Sequence, residues 1–304
     1  MAENPKQLSR SQIWMLAIRP RTLPAAAAPV ITGSAVAFWD GLFYPGPAFA
    51  ALLAALLLQI GANLANDVFD FHRGADTAER LGPTRVTQAG LLTPRQVKGG
   101  MWVCFGLAAV LGIYLTLVAG WPVLLIGLAS IAAAIAYTGG PFPLGYYGLG
   151  DLAVFIFFGL AAVCGTYYIQ ALKLSWLAFG SSLPMGFLIT AILVVNNLRD
   201  IDTDRSAGKH TLAVRLGVNG TRWEYLLLVG GSYAVPPVLW LSGLAPAWVL
   251  LAWISLPLAI SLVRKVWTLK GRPLNKALGG TGQLALLFSL LFSLGLVIGF
   301  FQLR

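Results

Sequence analysis

Acidic residues are scarce in this chain, and most of them lie in two short segments. Of the 11 Asp and Glu residues, seven fall within 67–79 and 200–204. Each segment directly follows a long apolar run, so the acids lie where a membrane-spanning helix is expected to end. Charged side chains at a membrane edge are costly unless they serve a site. The two segments are therefore the first candidates for chemistry.

Helical spacing separates candidate ligands from bystanders within these segments. Side chains three or four positions apart share one helix face, so Asp67 joins Asp70 and Asp200 joins Asp204, while Asp202 points elsewhere. Carboxylate and amide oxygens at short spacing suit Mg²⁺, which takes its other ligands from water and substrate phosphates. No His or Cys has the spacing that zinc requires. We predict two Mg²⁺ ions, with the ligands Asn66, Asp67, Asp70, Asn197, Asp200 and Asp204. The alternative, in which these carboxylates pair with arginines in solvated loops, is weakened because two such clusters occur.

The composition indicates that the apolar runs beside these segments lie in a lipid bilayer. The chain is 58% hydrophobic and 11% charged, whereas a soluble domain is about a quarter charged. A helix needs about 20 apolar residues to cross a bilayer core. Windows of this kind fall at 14–38, 46–64, 99–119, 121–138, 151–172, 175–197, 223–242, 246–263 and 280–302. We predict an all-α integral membrane protein, a single domain over 1–304, with nine transmembrane helices around a central cavity.

Basic residues orient this nine-helix arrangement. With a cytosolic N-terminus, all of the 21 Lys and Arg residues except Lys173 and Arg304 lie on the cytosolic side, as the positive-inside rule requires. Both acidic segments then lie at cytosolic helix ends, beside connections at about 71–98 and 199–222 that we expect to cap a site. The net charge of +10 is explained by this basic face, which attracts anionic lipid headgroups. It gives no support for nucleic-acid binding.

The residues of the two segments resemble the motifs of the UbiA superfamily of membrane prenyltransferases. Its first motif is Asn-Asp-x-x-Asp with a further Asp downstream, and its second is Asp-x-x-x-Asp. The matching residues are Asn66, Asp67, Asp70, Asp76, Asp200 and Asp204. Further stretches resemble the branch that acts on 1,4-dihydroxy-2-naphthoate in menaquinone synthesis, namely 19–24, 63–67, 82–85, 137–141, 148–151 and 196–212.

The resemblance implies an activity and a catalytic set. The expected reaction is Mg²⁺-dependent transfer of a polyprenyl group from polyprenyl diphosphate to 1,4-dihydroxy-2-naphthoate, with loss of CO₂ and diphosphate, giving demethylmenaquinone. It would take place on the cytosolic side of the cell inner membrane. The implied catalytic residues are Asp67, Asp70, Asp76, Asp200 and Asp204. The chain departs from many members at Gly74, where they carry the third Asp, and at Pro141, where some carry a Lys four residues after the Tyr.

Because that Lys is absent, other cations are needed for the diphosphate. The candidates are Arg73, Arg85, Lys98 and Lys209, and Arg21 is a further one. For the aromatic acceptor the candidates are Asn63, Arg21 and Tyr137. Arg19 and Arg21, near the start of the first helix, are also suited to the acceptor's carboxylate, although anchoring at the membrane surface explains them equally well.

The spacing of the motifs predicts the architecture and leaves rival functions open. Asp67 and Asp200 are 133 positions apart, and each ends the second helix of a four-helix set. Two four-helix halves with helix 9 closing the ring are therefore expected. Repeated halves also build secondary transporters, so a cation-coupled transporter is the alternative from another class. Within the superfamily, the alternative acceptors are 4-hydroxybenzoate and homogentisate.

Two short patterns predict helix starts. Thr93-Pro94 is typical of a helix cap followed by Pro in the first turn, which would begin the third helix. Thr221 and Glu224 have the spacing of a capping box, which would begin the seventh helix.

Overall fold

Every regular element in the described part of the chain is helical. The computed structural model describes residues 8–74 and 81–303. Eight helices there are long and apolar enough to cross a membrane, and a ninth apolar helix, α4, is shorter. In chain order they are α1 (Arg10–Trp39), α2 (Pro45–His72), α3 (Pro94–Ala119), α4 (Trp121–Ala136), α5 (Gly150–Ala171), α6 (Trp176–Ser206), α7 (Leu212–Leu241), α8 (Ala247–Thr268) and α9 (Leu274–Gln302). The prediction of an all-helical, multi-pass membrane protein is confirmed.

Helices α1, α6 and α9 form the centre of the bundle. Helix α6 packs against α1, α5, α7 and α9, and α9 also packs against α1 and α8, so the last helix closes the bundle on the first. Buried hydroxyl pairs join these helices: Thr32 with Ser289 at 2.9 Å and Tyr225 with Thr281 at 2.9 Å. A buried hydroxyl is costly unless it is hydrogen-bonded, so these pairs favour one register of α9 against its neighbours.

The helices that carry the acidic segments extend beyond their apolar windows. Helix α2 continues to His72, and α6 continues through the whole second segment to Ser206. Helix α7 begins at Leu212, so the connection expected at 199–222 is reduced to 207–211. Charged residues are compatible with a helix interior, and the apolar window therefore marked the membrane edge instead of the helix end.

One of the two helix-start predictions is confirmed and the other is wrong. Thr93 caps α3, and its hydroxyl accepts the backbone N–H of Gln96 at 3.3 Å. Thr221 instead lies buried inside α7 and donates to the carbonyl of Gly217 at 2.8 Å. Gly217 has a left-handed φ of 69° that interrupts the helix, and the Thr221 pattern follows this break by one turn.

Candidate active site

A cavity of about 680 Å³ lies inside the bundle, bounded mainly by α1 to α6. Its polar end gathers side chains from several helix ends and connections. They are Arg19, Asn63, Asn66, Asp70, Arg85, Tyr137, Tyr146, Asn196, Asn197, Asp200, Asp204 and Lys209. The rest of its lining is mostly apolar and comes from α1 to α6, with Leu278 of α9. Both acidic segments therefore contribute to one cavity.

The apolar lining of the cavity includes Ile113 of α3 and Leu124 of α4, whose side chains are 58% and 42% exposed. Helix α5 contributes Phe157 and Phe158 to the lining from a stretch of wider, π-helical turns, Phe155–Ala161. Such turns interrupt an α-helix and are frequent at functional sites.

Asp70 is held by three side chains from other parts of the chain. Its Oδ2 accepts Nη2 of Arg85 at 2.8 Å, and its Oδ1 accepts the hydroxyl of Tyr146 at 2.8 Å. The ammonium of Lys209 lies 3.5 Å from the same Oδ1. Hydrogen bonds between charged groups are roughly twice as strong as neutral ones. Asp70 is therefore fixed in orientation at the polar end of the cavity.

Asp67 has a different environment from Asp70, although the two are only three residues apart. Its two oxygens accept the backbone N–H groups of Val86 and Thr87, each at 3.1 Å. The side chain is almost completely buried and does not line the cavity. Because Arg85 simultaneously pairs with Asp70, Asp67 and Asp70 together dock residues 85–87 onto the end of α2.

The second acidic segment is organised by Arg199. Its Nε donates to Asp200 Oδ1 at 2.8 Å, and its Nη2 donates to the other oxygen of the same carboxylate. It also donates to Asn196 Oδ1 at 2.9 Å and to Asn275 Oδ1 at 2.7 Å. Asn275 in turn donates to the carbonyl of Leu81 at 2.9 Å. The network thus ties Asp200 to the start of α9 and to the connection after α2.

Lys209 links the two segments. Its ammonium lies 3.9 Å from Asp204 Oδ1 and 3.5 Å from Asp70 Oδ1. It lies in the short turn between α6 and α7 that Gly208 opens with a φ of 70°. The cationic group is therefore placed between carboxylates that come from separate halves of the chain.

The donors at the polar end fit Mg²⁺ bound together with a phosphorylated ligand. Asn66, Asp70, Asn197, Asp200 and Asp204 all line the cavity, and oxygen donors are what Mg²⁺ prefers. Within residues 8–74 and 81–303, no group of three His, Cys, Asp or Glu side chains converges on one point. Protein side chains there would supply only part of each coordination shell, which leaves the rest to water and phosphate oxygens.

Of the other predicted site residues, some line the cavity and others do not. Arg85 and Lys209 line the cavity, and Arg73 lies beside it, with its guanidinium bonded to the carbonyl of Gly140. Lys98 and Arg21 are exposed and do not line the cavity. Asp76 lies outside the described residues.

Two of the three acceptor candidates do lie at the cavity. Asn63 donates to the carbonyl of Ile18 and to the hydroxyl of Thr22, both at 2.9 Å. Tyr137 follows α4 and lines the cavity. Burial, together with the charges of Asp151, Asp70 and Asp204, raises the pKa of Tyr137, so its hydroxyl is a neutral hydrogen-bond donor.

Arg19, which the sequence suggested for the acceptor's carboxylate, lines the cavity 3.8 Å from Asp67. It has a left-handed φ of 57°, which bends the first helix. Thr138, Tyr146 and Asn275 were not identified as site residues from their sequence positions. Thr138 donates to Asn66 Oδ1 at 2.9 Å. Tyr146 contacts Asp70 and Lys209, and Asn275 contacts Arg199 and the carbonyl of Leu81. Tyr146 and Thr138 lie in the α4–α5 connection, where the stretches 137–141 and 148–151 resemble the family branch.

Together the fold and the cavity define a class: a multi-pass membrane protein with an internal cavity that is charged at one end and apolar elsewhere. The comparison of sequences gives the family. Residues 26–287 match the UbiA prenyltransferase family, and the chain belongs to it. It is 40% identical over 301 residues to the 1,4-dihydroxy-2-naphthoate octaprenyltransferase of Escherichia coli (strain K12), covering 96% of this chain and 97% of that protein. The enzyme of the same name from Mycobacterium tuberculosis is 41% identical over 288 residues, covering 94% and 97%.

Solved structures show the same fold at low sequence identity. The apo structure of a UbiA homolog from Aeropyrum pernix K1 has a TM-score of 0.69 at 17% identity, covering 90% of this chain and 97% of that one. A UbiA homolog from Archaeoglobus fulgidus bound to GPP and Mg²⁺ has a TM-score of 0.65 at 13% identity, covering 92% and 99%.

Proposed function

We propose that this protein transfers a polyprenyl group from polyprenyl diphosphate to 1,4-dihydroxy-2-naphthoate, in a reaction that requires Mg²⁺. The observation that carries the proposal is the cavity itself, which joins a polar end of carboxylates, amides and cations to an apolar part lined by residues of α3, α4 and α5. The naphthoate prenyltransferases that are 40% and 41% identical to this chain support the choice of acceptor. The products are CO₂, diphosphate and the hydroquinone form of demethylmenaquinone.

The donor fits the cavity in one orientation. Its apolar chain would lie between α2 and α5 and leave toward the bilayer past Ile113 and Leu124, which line the cavity. Its diphosphate would lie at the polar end, where Arg85 and Lys209 supply positive charge. Arg73 is close enough to the same end to assist. Preorganised cations stabilise the charge that develops on a leaving diphosphate.

We propose two Mg²⁺ ions, held by Asn66 and Asp70 on one side and by Asn197, Asp200 and Asp204 on the other. Bound there, Mg²⁺ would act as a Lewis acid that neutralises the leaving diphosphate. The Archaeoglobus fulgidus structures bound to Mg²⁺ and either DMAPP or GPP support metal use in this fold. For Asp67, which was predicted to be a further ligand, the contacts with Val86 and Thr87 favour a role in holding the connection. The role of Asp76 stays a prediction.

The chain's residues would then direct the carbon chemistry. The allylic C–O bond breaks, and the electron-rich naphthoate ring forms a C–C bond through the carbon that bears its carboxylate. Loss of CO₂ returns the electron pair to the ring, so this step needs no external base. The neutral hydroxyl of Tyr137 and the amide of Asn63 are placed to orient the acceptor. Aromatic faces such as Phe157 and Phe158 stabilise a nearby carbocation and exclude water from it.

We also propose the membrane topology. The protein crosses the inner membrane of the cell with nine spans, and its N-terminus and active site lie on the cytosolic side. Helix α4 has 16 residues, roughly 24 Å at 1.5 Å per residue, which is short for a bilayer core. The distribution of Lys and Arg supports its crossing, since a missing span would reverse the sides of every later connection. Labelling of single cysteines placed at Trp121 and Phe142 tests this, because these exposed positions flank α4 and should react from opposite faces only if α4 crosses.

The decisive experiment measures the prenylated product and the released CO₂ in the same incubation. Membranes containing the protein are incubated with Mg²⁺, radiolabelled polyprenyl diphosphate and carboxyl-labelled dihydroxynaphthoate. Prenylated product and labelled CO₂ should form in equal amounts. Preference for 4-hydroxybenzoate or homogentisate would assign another acceptor, and solute counterflow without any prenylated product would favour a transporter.

Asp70→Asn and Asp200→Asn should each lower kcat by about 100-fold, as the loss of one well-placed charge does in other active sites. Asp202→Asn is the matched control, because the Asp202 side chain is 96% exposed. Wild-type turnover in either of the first two variants would contradict the proposed metal site.

A further inference from the structure

Tyr146 occupies a central position at the polar end of the cavity. It lies in the connection between α4 and α5, and its hydroxyl donates to Asp70 Oδ1 at 2.8 Å. Its carbonyl accepts the backbone N–H of His210 at 2.8 Å. One residue from the middle of the chain therefore contacts the end of α2 and the turn that follows α6.

Two cations lie over the ring of Tyr146. Lys209 Nζ is 4.6 Å from the ring centroid, and Arg73 Cζ is 5.3 Å from it. Both distances are within the range in which an aromatic face attracts a cation. Long Lys and Arg side chains have many rotamers in solution, so a ring that both of them contact limits the positions of their charges.

We propose that Tyr146 is a positioning residue for the donor's diphosphate. Its ring holds Lys209 and Arg73 toward the polar end of the cavity, and its hydroxyl holds Asp70 in the orientation that faces the cavity. The two functions use different parts of one side chain and can be separated by substitution. This inference rests on the proposed function, because it assigns the ligand of that same site.

The neighbouring Tyr147 provides a contrast within the same connection. Its ring stacks on Phe142 with centroids 4.8 Å apart. It is 42% exposed and does not line the cavity. Tyr147 thus has the surroundings of a packing residue, and the pair offers a matched control.

The test compares Tyr146→Phe, Tyr146→Leu and Tyr147→Leu by steady-state kinetics for both substrates. Tyr146→Phe keeps the ring and should leave the donor KM unchanged, while kcat falls about fivefold because Asp70 loses a hydrogen bond. Tyr146→Leu removes the ring as well and should raise the donor KM about tenfold, which corresponds to about 1.4 kcal/mol. The acceptor KM should stay constant in both, and Tyr147→Leu should match wild type.

A direct binding measurement separates this inference from the proposed function. Purified protein is titrated with inorganic diphosphate in the presence of Mg²⁺, and Tyr146→Leu should bind it about tenfold more weakly than wild type, whereas Tyr146→Phe should not. Unchanged diphosphate binding in Tyr146→Leu, or a loss shared equally by both substrates, would overturn the inference. Tyr146-dependent diphosphate binding in a wild-type protein that transfers no prenyl group would support it and refute the proposed function.

Discussion

Lys209 Nζ lies 3.5 Å from Asp70 Oδ1, although the two residues belong to opposite halves of the chain. The same ammonium lies 3.9 Å from Asp204, and the Lys209 side chain is largely buried. Cations at such positions balance neighbouring carboxylates and remain available to an anionic substrate. The pair is therefore a direct structural link between the two acidic segments.

Lys209→Gln should raise the donor KM by about tenfold or more, because a hydrogen bond to a charged group contributes about 1.5–3 kcal/mol. The acceptor KM should not change. Lys98→Gln is the control, since Lys98 was an equal candidate in the sequence but is exposed and outside the cavity. Equal effects of the two substitutions on the donor KM would show that only the general basic charge of this face matters.

Asp67→Ala should destabilise the protein. Removal of the carboxylate leaves the buried N–H groups of Val86 and Thr87 without their acceptor, at a cost of about 1–3 kcal/mol. A lower melting temperature in detergent and faster tryptic cleavage near Arg85 are the expected results. The Mg²⁺ concentration for half-maximal activity should stay as in wild type.

Asp202→Ala serves as the control for Asp67→Ala, because its exposed side chain makes only a long contact with Arg205, 3.9 Å away. A wild-type melting temperature in Asp67→Ala, together with a raised Mg²⁺ requirement, would assign Asp67 to the metal instead.

Much of the fold was predictable because apolar length and basic residues report directly on the membrane. The helix ends were less predictable: Arg199 was counted in a connection, and the structure buries it inside α6, where it pairs with Asp200. Apolar windows detect the bilayer, whereas a helix can continue into water as long as its backbone bonds are made.

The site was predictable in its main carboxylates and not in its supporting residues. Asp67 and Asp70 lie in the same motif and on the same helix face, so the sequence does not distinguish their roles. The path of residues 85–87 does: Asp67 binds the backbone of Val86 and Thr87, whereas Asp70 lines the cavity. Tyr146 and Asn275 are common residue types in loop or helix-start positions, and their importance depends on contacts across more than 60 positions of the chain. Spacing within one helix contains no information about such contacts.

Arg19, and not Arg21, should affect the acceptor. Arg19 lines the cavity, whereas Arg21 is exposed outside it. Arg19→Gln should raise the acceptor KM about tenfold and leave the donor KM unchanged, and Arg21→Gln should change neither. Inhibition by 1-hydroxy-2-naphthoate, which keeps the carboxylate, should weaken in Arg19→Gln, while inhibition by 1-naphthol should not. A reversed pattern between the two arginines would restore Arg21 as the acceptor residue.

The length of the transferred chain should depend on small residues in the apolar wall. Gly112 of α3 and Gly127 of α4 both line the cavity, and a Cβ added at either position would meet no atom within 4 Å. A larger side chain there can be accommodated by the protein but would occupy the space that we assign to the donor's tail. Gly112→Leu and Gly127→Leu should therefore select against long donors.

Gly106 on the same helix offers a matched control. A Cβ added there also meets no atom within 4 Å, but Gly106 does not line the cavity. Donors from geranyl to octaprenyl diphosphate are compared by kcat/KM in each variant. Gly112→Leu should retain activity with the shortest donor and lose it progressively with longer ones, while Gly106→Leu keeps the wild-type profile. If Gly112→Leu also keeps that profile, the donor's tail does not run between α3 and α4, and the exit that we propose past Ile113 and Leu124 is wrong.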